Sequence, residues 1–84
     1  MKNIKIYTGP MCNFCDAAKR LFSRNNLQYE EINIMSKDGL RDEMIKKANG
    51  KRTIPQIFFD DYHVGGYVEL RELEKNGELK KILE

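Results

Sequence analysis

The sequence predicts one α/β domain with a four-stranded mixed sheet, in which two parallel strands are joined by a C-terminal antiparallel hairpin. Three helices and a short C-terminal helical turn flank it. Three observations predict this class. Residues 4–8 and 29–34 both alternate apolar with polar side chains, the period of a strand. Between them, Phe14, Ala17, Ala18, Leu21 and Phe22 recur at the three- and four-residue steps of a helix packed along one side. Further on, Ile57-Phe58-Phe59 and Tyr62-His63-Val64 enclose Asp60-Asp61, a pair suited to a tight turn.

Each element follows from its own residues. Ile4, Ile6 and Thr8 alternate with Lys5 and Tyr7, the pattern of a first strand that buries one face. The first helix turns Asp16, Lys19, Arg20 and Arg24 outward and ends near Asn25-Asn26. In the second strand Ile32 and Ile34 lie opposite Glu31 and Asn33, which completes a strand-helix-strand crossover. Such crossovers are right-handed and make their strands parallel. Ser36 or Asp38 is the expected cap of a second helix whose stripe is Leu40, Met44, Ile45 and Ala48 and whose stop is Asn49-Gly50. Pro55 lacks the N–H that an interior strand position needs, so the third strand begins after it. Gly65-Gly66 permits positive φ or a close backbone approach, helical spacing resumes over residues 68–73, and Asn76-Gly77 ends that helix. Leu79, Ile82 and Leu83 fit either one more docked helical turn or a frayed tail.

Length and composition exclude several classes. Eighty-four residues are expected to form a single domain, 1–84, with one modest core. A net charge of +2 is too balanced to argue for nucleic acid. The basic residues Lys46, Lys47, Lys51 and Arg52 are read first as a solvated helix end and second as a contact for an anionic ligand. The N-terminal run Met1-Lys2-Asn3-Ile4-Lys5-Ile6-Tyr7 has no long apolar core, so neither a signal peptide nor a membrane span is expected. The expectation is a cytoplasmic monomer without membrane partners.

The two cysteines, Cys12 and Cys15, stand three residues apart between the first strand and the first helix. The thiolate is the reactive form of cysteine, and the free N–H groups and positive dipole end of a helix stabilise it there. Cys12 has that place, and Cys15, one turn on, lies close enough to form a disulfide with it. A structural zinc site would need four ligands, and His63 as the only histidine leaves the set one short. A structural bridge closing so short a loop would remove little chain entropy. A redox dithiol, with Cys12 as nucleophile and Cys15 as resolving thiol, is therefore the leading reading, and no metal is required for it. His63 is read as a surface residue of the hairpin.

The order of these elements with Cys12-Asn13-Phe14-Cys15, Thr53-Ile54-Pro55-Gln56 and Gly65-Gly66-Tyr67 resembles a glutaredoxin of the thioredoxin fold, over essentially the whole chain. The resemblance implies a thiol-disulfide oxidoreductase that uses glutathione as reductant and acts on disulfide-containing or glutathionylated proteins. It implies a cis peptide before Pro55, facing the cysteines. It also implies that glutathione is held by backbone around Thr53, Ile54 and Pro55 and by Gly66, Tyr67 and Val68. Phe14 would offer a flat apolar surface beside the sulfur, and Lys51 or Arg52 would meet a glutathione carboxylate.

The chain departs from the family pattern at three places. Asn13-Phe14 replaces the usual Pro-Tyr, Gly9 replaces a frequent lysine, and Val68 replaces an acidic or hydroxyl residue that meets the γ-glutamyl amine. Glu69 is the neighbouring substitute for that last contact. Two other functions fit the same resemblance: an electron carrier reduced by thioredoxin reductase, and a carrier of a [2Fe–2S] cluster held by Cys12 of two subunits and two glutathiones.

Overall fold

The computed structural model describes residues Met1–Glu84. Strand β1 (Ile4–Thr8) lies inside the sheet, parallel to β2 (Glu30–Asn33) on one side and antiparallel to β3 (Gln56–Phe59) on the other. Strand β4 (Tyr62–Gly65) pairs antiparallel with the outer side of β3, giving the order β2-β1-β3-β4. Helices α1 (Asn13–Arg24), α2 (Leu40–Lys47), α3 (Tyr67–Lys75) and the short α4 (Leu79–Leu83) complete the α/β domain that the sequence predicts.

Strand alternation sorts side chains between two layers. Ile4, Ile6, Ile57 and Phe59 face Ala18, Leu21 and Phe22 of α1, Leu70 of α3, and Leu79 and Leu83 of α4 in the larger core. The expectation of a single buried face for β1 does not hold. Tyr7, on the opposite face, is 1% exposed and packs with Phe58, Met44 and Ala48 beneath α2. Its hydroxyl donates to Oε2 of the exposed Glu43 at 2.6 Å, so the polar tip of the buried ring keeps a partner where it reaches the surface. Burial first, and the neighbouring carboxylate second, push the Tyr7 pKa above its ordinary value.

Helix ends follow local chemistry. Neither Ser36 nor Asp38 caps α2. The Ser36 hydroxyl donates to Asn33 O and the Met35 N–H donates to Asn33 Oδ1, so these short polar groups close the turn after β2. The α2 cap falls on Gly39, at φ 85°. Helix α3 ends as expected, with Asn76 as its cap and Gly77 at φ 75°. The Gly77 N–H bonds Glu74 O and the Glu78 N–H bonds Leu73 O, the paired closure that favours glycine at this position.

Two ties set the far end of the molecule. The Arg24 guanidinium donates to both carboxylate oxygens of Glu74 at 2.8 and 3.0 Å, and Asn25 Nδ2 donates to the same carboxylate at 2.7 Å, joining α1 to α3. Lys2 donates from its backbone N–H to Leu83 O and from Nζ to Ile82 O, joining the two chain ends. No helix is long and apolar enough to cross a membrane.

Phe59 has no exposed surface, whereas Met35 is 71% exposed. Urea unfolding is expected to show Phe59→Ala losing about 3–5 kcal/mol, and Met35→Ala changing by no more than about 0.5 kcal/mol.

Candidate active site

The loop leaving β1 delivers Cys12 to the N-cap of α1. Its backbone is extended (φ −118°, ψ 96°), and helical geometry begins at Asn13. The Cys15 N–H donates to Cys12 Sγ at 3.1 Å, so sulfur takes the place that a capping oxygen usually fills. Cys12 and Cys15 form a disulfide with their Cα atoms 5.2 Å apart. Cys12 is half-buried, whereas Cys15 is 2% exposed. This is the order of access expected of an attacking and a resolving thiol. Met11, just before Cys12, is fully exposed at φ 53°, a left-handed conformation uncommon for a side chain of its size.

Antiparallel pairing sets Tyr7 opposite Gln56, which lays the segment before β3 beside the cysteine loop. The Ile54-Pro55 peptide is cis, and Ile54 O lies 3.8 Å from Cys12 Sγ. The disulfide sulfur has no proton to donate, so this is a contact and not a hydrogen bond. Gly9 has a local reason to lack a side chain: a Cβ there would lie 2.7 Å from Ile54 Cδ1. The frequent lysine at this position would displace Ile54.

A second wall comes from α3. The rings of Phe14 and Tyr67 stack with centroids 5.9 Å apart and planes 14° from parallel, and Phe14 remains 61% exposed. Val68 is also exposed. Glu69 folds back so that its Oε1 accepts the Gly66 N–H at 2.6 Å, while the carboxylate's second oxygen has no partner. Gly65 makes this possible, because its φ is 114° and a Cβ there would lie 2.8 Å from Glu69 Oε1. Thr53, Lys51 and Arg52 are exposed on the loop before Ile54, and neither cation is in an ion pair.

The structure thus brings Cys12, Cys15, Ile54 and Pro55 together, with Phe14 and Tyr67 as an aromatic wall. Gln56 has no role of its own in the sequence reading beyond its place in the Thr53–Gln56 motif, and His63 is half-buried, not the surface residue that the sequence predicts. His63 Nε2 lies 2.7 Å from Gln56 Oε1, and its ring stacks on Phe58 at 4.8 Å. Burial first, then Lys51, lowers the His63 pKa, while Glu69 acts in the opposite direction. The one available signal was a glutamine heading an otherwise apolar strand. A separate groove of about 550 Å³, lined by Lys5, Tyr7, Lys47 and Phe58 among others, reaches neither cysteine.

The family model described as Glutaredoxin matches residues 4–64. The chain belongs to the glutaredoxin family. Glutaredoxin 1 of Rickettsia felis is 45% identical to it over 85 aligned positions, covering all of this chain and 83% of that protein. Glutaredoxin 3 of Escherichia coli strain K12 is 40% identical and covers 99% of both chains. Among solved structures, the glutaredoxin from Brucella melitensis superposes with a TM-score of 0.84 at 40% identity, over 99% of this chain and 89% of that one. Glutaredoxins are thiol-disulfide oxidoreductases, so this chain is such an enzyme and Cys12–Cys15 is its redox-active disulfide.

Access and helix position together predict which thiol reacts first. In the reduced protein, iodoacetamide at pH 6 should label Cys12 well before Cys15, as read by peptide mass mapping. Equal labelling would overturn the assignment of Cys12 as the attacking sulfur.

Proposed function

We propose that this glutaredoxin is a glutathione-dependent dithiol oxidoreductase, with Cys12 as nucleophile and Cys15 as resolving thiol. The observation that carries the reading is the half-buried Cys12 sulfur at the α1 N-terminus, accepting the Cys15 N–H and lying beside the Ile54 carbonyl. A thiolate at Cys12 would attack the glutathione sulfur of a glutathionylated protein. The protein sulfur leaves as a thiolate and takes a proton, and Cys12 is left bonded to glutathione. A second glutathione thiolate attacks that mixed disulfide, releasing oxidised glutathione and the Cys12 thiolate. With a protein disulfide, Cys12 first bonds one protein sulfur. The Cys15 thiolate then attacks Cys12 Sγ, frees the second protein sulfur and closes the disulfide, which two glutathiones reduce.

The surroundings support glutathione as the partner. Backbone of Thr53 and Ile54 can align an extended peptide in the manner of an added strand. Lys51 and Arg52 are free to meet a carboxylate, and the free N–H groups that begin α3 favour a second one. The unpartnered oxygen of Glu69 is free to accept from the γ-glutamyl ammonium, the contact that Val68 cannot make. Gly9 and Val68 favour a second reading, reduction by thioredoxin reductase, because both remove groups that would hold glutathione. A coupled assay that supplies either glutathione with its reductase or thioredoxin reductase separates the two. Turnover with the second system alone would replace the first reading.

Cys12→Ser is expected to abolish all turnover. Cys15→Ser should keep deglutathionylation, which needs one thiol, and lose most protein-disulfide reduction. Loss of both activities in Cys15→Ser would contradict the monothiol step.

Glu69→Gln retains an oxygen for the Gly66 N–H and removes the charge. It should leave the melting temperature nearly unchanged and raise the glutathione KM about tenfold, the equivalent of about 1.4 kcal/mol. Val68→Asp should lower that KM by a similar factor. Glutathione titrations of both variants test the contact, and unmoved curves would remove Glu69 from the site.

A further inference from the structure

Behind the Thr53–Pro55 loop runs a short chain of hydrogen bonds that the chemistry above does not use. Gln56 is 2% exposed, yet every polar atom of its amide has a partner. Its Nε2 donates to Thr53 O at 3.0 Å and to Thr53 Oγ1 at 3.1 Å, and its Oε1 lies 2.7 Å from His63 Nε2. The orientation follows by elimination. A backbone carbonyl can only accept, so the amide nitrogen must face Thr53 and the amide oxygen must face His63. The imidazole then carries a proton on Nε2 and donates. Stacking on Phe58 holds the ring in the plane that this donation needs, and the hairpin register that pairs Phe58 with His63 holds the two side by side.

We propose that His63, acting through Gln56, is a positioning residue that fixes the Thr53 carbonyl and hydroxyl, and with them the backbone against which the glutathionyl moiety aligns. This rests on the reading of the Thr53–Ile54 segment as part of the glutathione cradle. Thr53 is itself exposed, and the amide of Gln56 is the side-chain group that ties it to the buried sheet. Without the His63 donor, Gln56 Oε1 is a buried acceptor with no partner, and nothing on the sheet side holds the amide in the orientation that turns Nε2 to Thr53. The loop would lose its anchor, while Cys12, held from α1, would not. The expected effect therefore falls on substrate affinity and spares the reactivity of the sulfur.

The experiment uses the full chain, with a glutathione–cysteinyl peptide mixed disulfide as substrate. For wild type, His63→Ala, His63→Gln and Gln56→Glu, it measures KM, kcat, melting temperature and the rate of Cys12 alkylation. His63→Ala should raise KM about tenfold, with kcat and alkylation within about twofold of wild type. His63→Gln, whose amide can donate in place of Nε2, should recover most of the affinity. Gln56→Glu keeps the acceptor for His63 but sets a carboxylate oxygen against Thr53 O, and should raise KM even though the His63 bond survives. It decides the matter if His63→Ala fails to fold. A folded His63→Ala with wild-type KM, or a melting temperature that falls without any change in KM, overturns the inference. If wild type itself does not saturate with the mixed disulfide, the glutathione reading fails and takes this inference with it. If wild type saturates and no variant shifts KM, the inference alone fails.

Discussion

The antiparallel register of β1 against β3 is the constraint on which the site depends. It sets Tyr7 opposite Gln56, and so places the end of one strand beside the beginning of the other. The loop that carries Cys12 leaves β1 at that end, and the loop that carries Ile54-Pro55 enters β3 at the same end. A shift of one residue would also exchange the two faces of β3, sending Ile57 and Phe59 out of the larger core. The same apolar burial that holds the sheet together therefore fixes the distance from Cys12 Sγ to Ile54 O.

Much of this was legible in the residues. Period-two and helical spacing identify the first two strands and the three longer helices, Pro55 and the Asp60-Asp61 turn mark the hairpin, and the cysteine pair between a strand and a helix identifies the chemistry. What escaped was whatever depends on a neighbour from elsewhere in the chain. Tyr7 reads as the outward residue of an alternating strand because nothing local announces that α2 will cover it and that Glu43 will accept its hydroxyl proton. Ser36 and Asp38 both have the chemistry of a cap, but the turn after β2 takes up the Ser36 hydroxyl first. His63 and Gln56 are seven residues apart, and only the hairpin makes them partners.

Two of the departures from the family pattern, Gly9 and Phe14, have local physical accounts, as does Glu69 beside the third at Val68. Gly9 accommodates the reach of Ile54, so its missing side chain follows from the packing of the substrate-side loop as well as from charge. Glu69 is held by the Gly66 N–H, which makes it a helix cap whether or not a ligand is present. Phe14 in place of the family's tyrosine keeps the ring and its stack on Tyr67 while losing the hydroxyl. The structure gives no comparable account of Asn13.

The tie between Lys2 and the last residues of α4 has an architectural consequence. From Lys2 the chain enters β1 and runs toward the cysteine loop, so both ends of the described chain gather at the pole of the sheet opposite the sulfur. A partner module tethered at either end would hang from that pole and leave the approach to Cys12 open. Circular permutation that joins the two ends through a brief linker would likewise cut nothing that the redox chemistry uses.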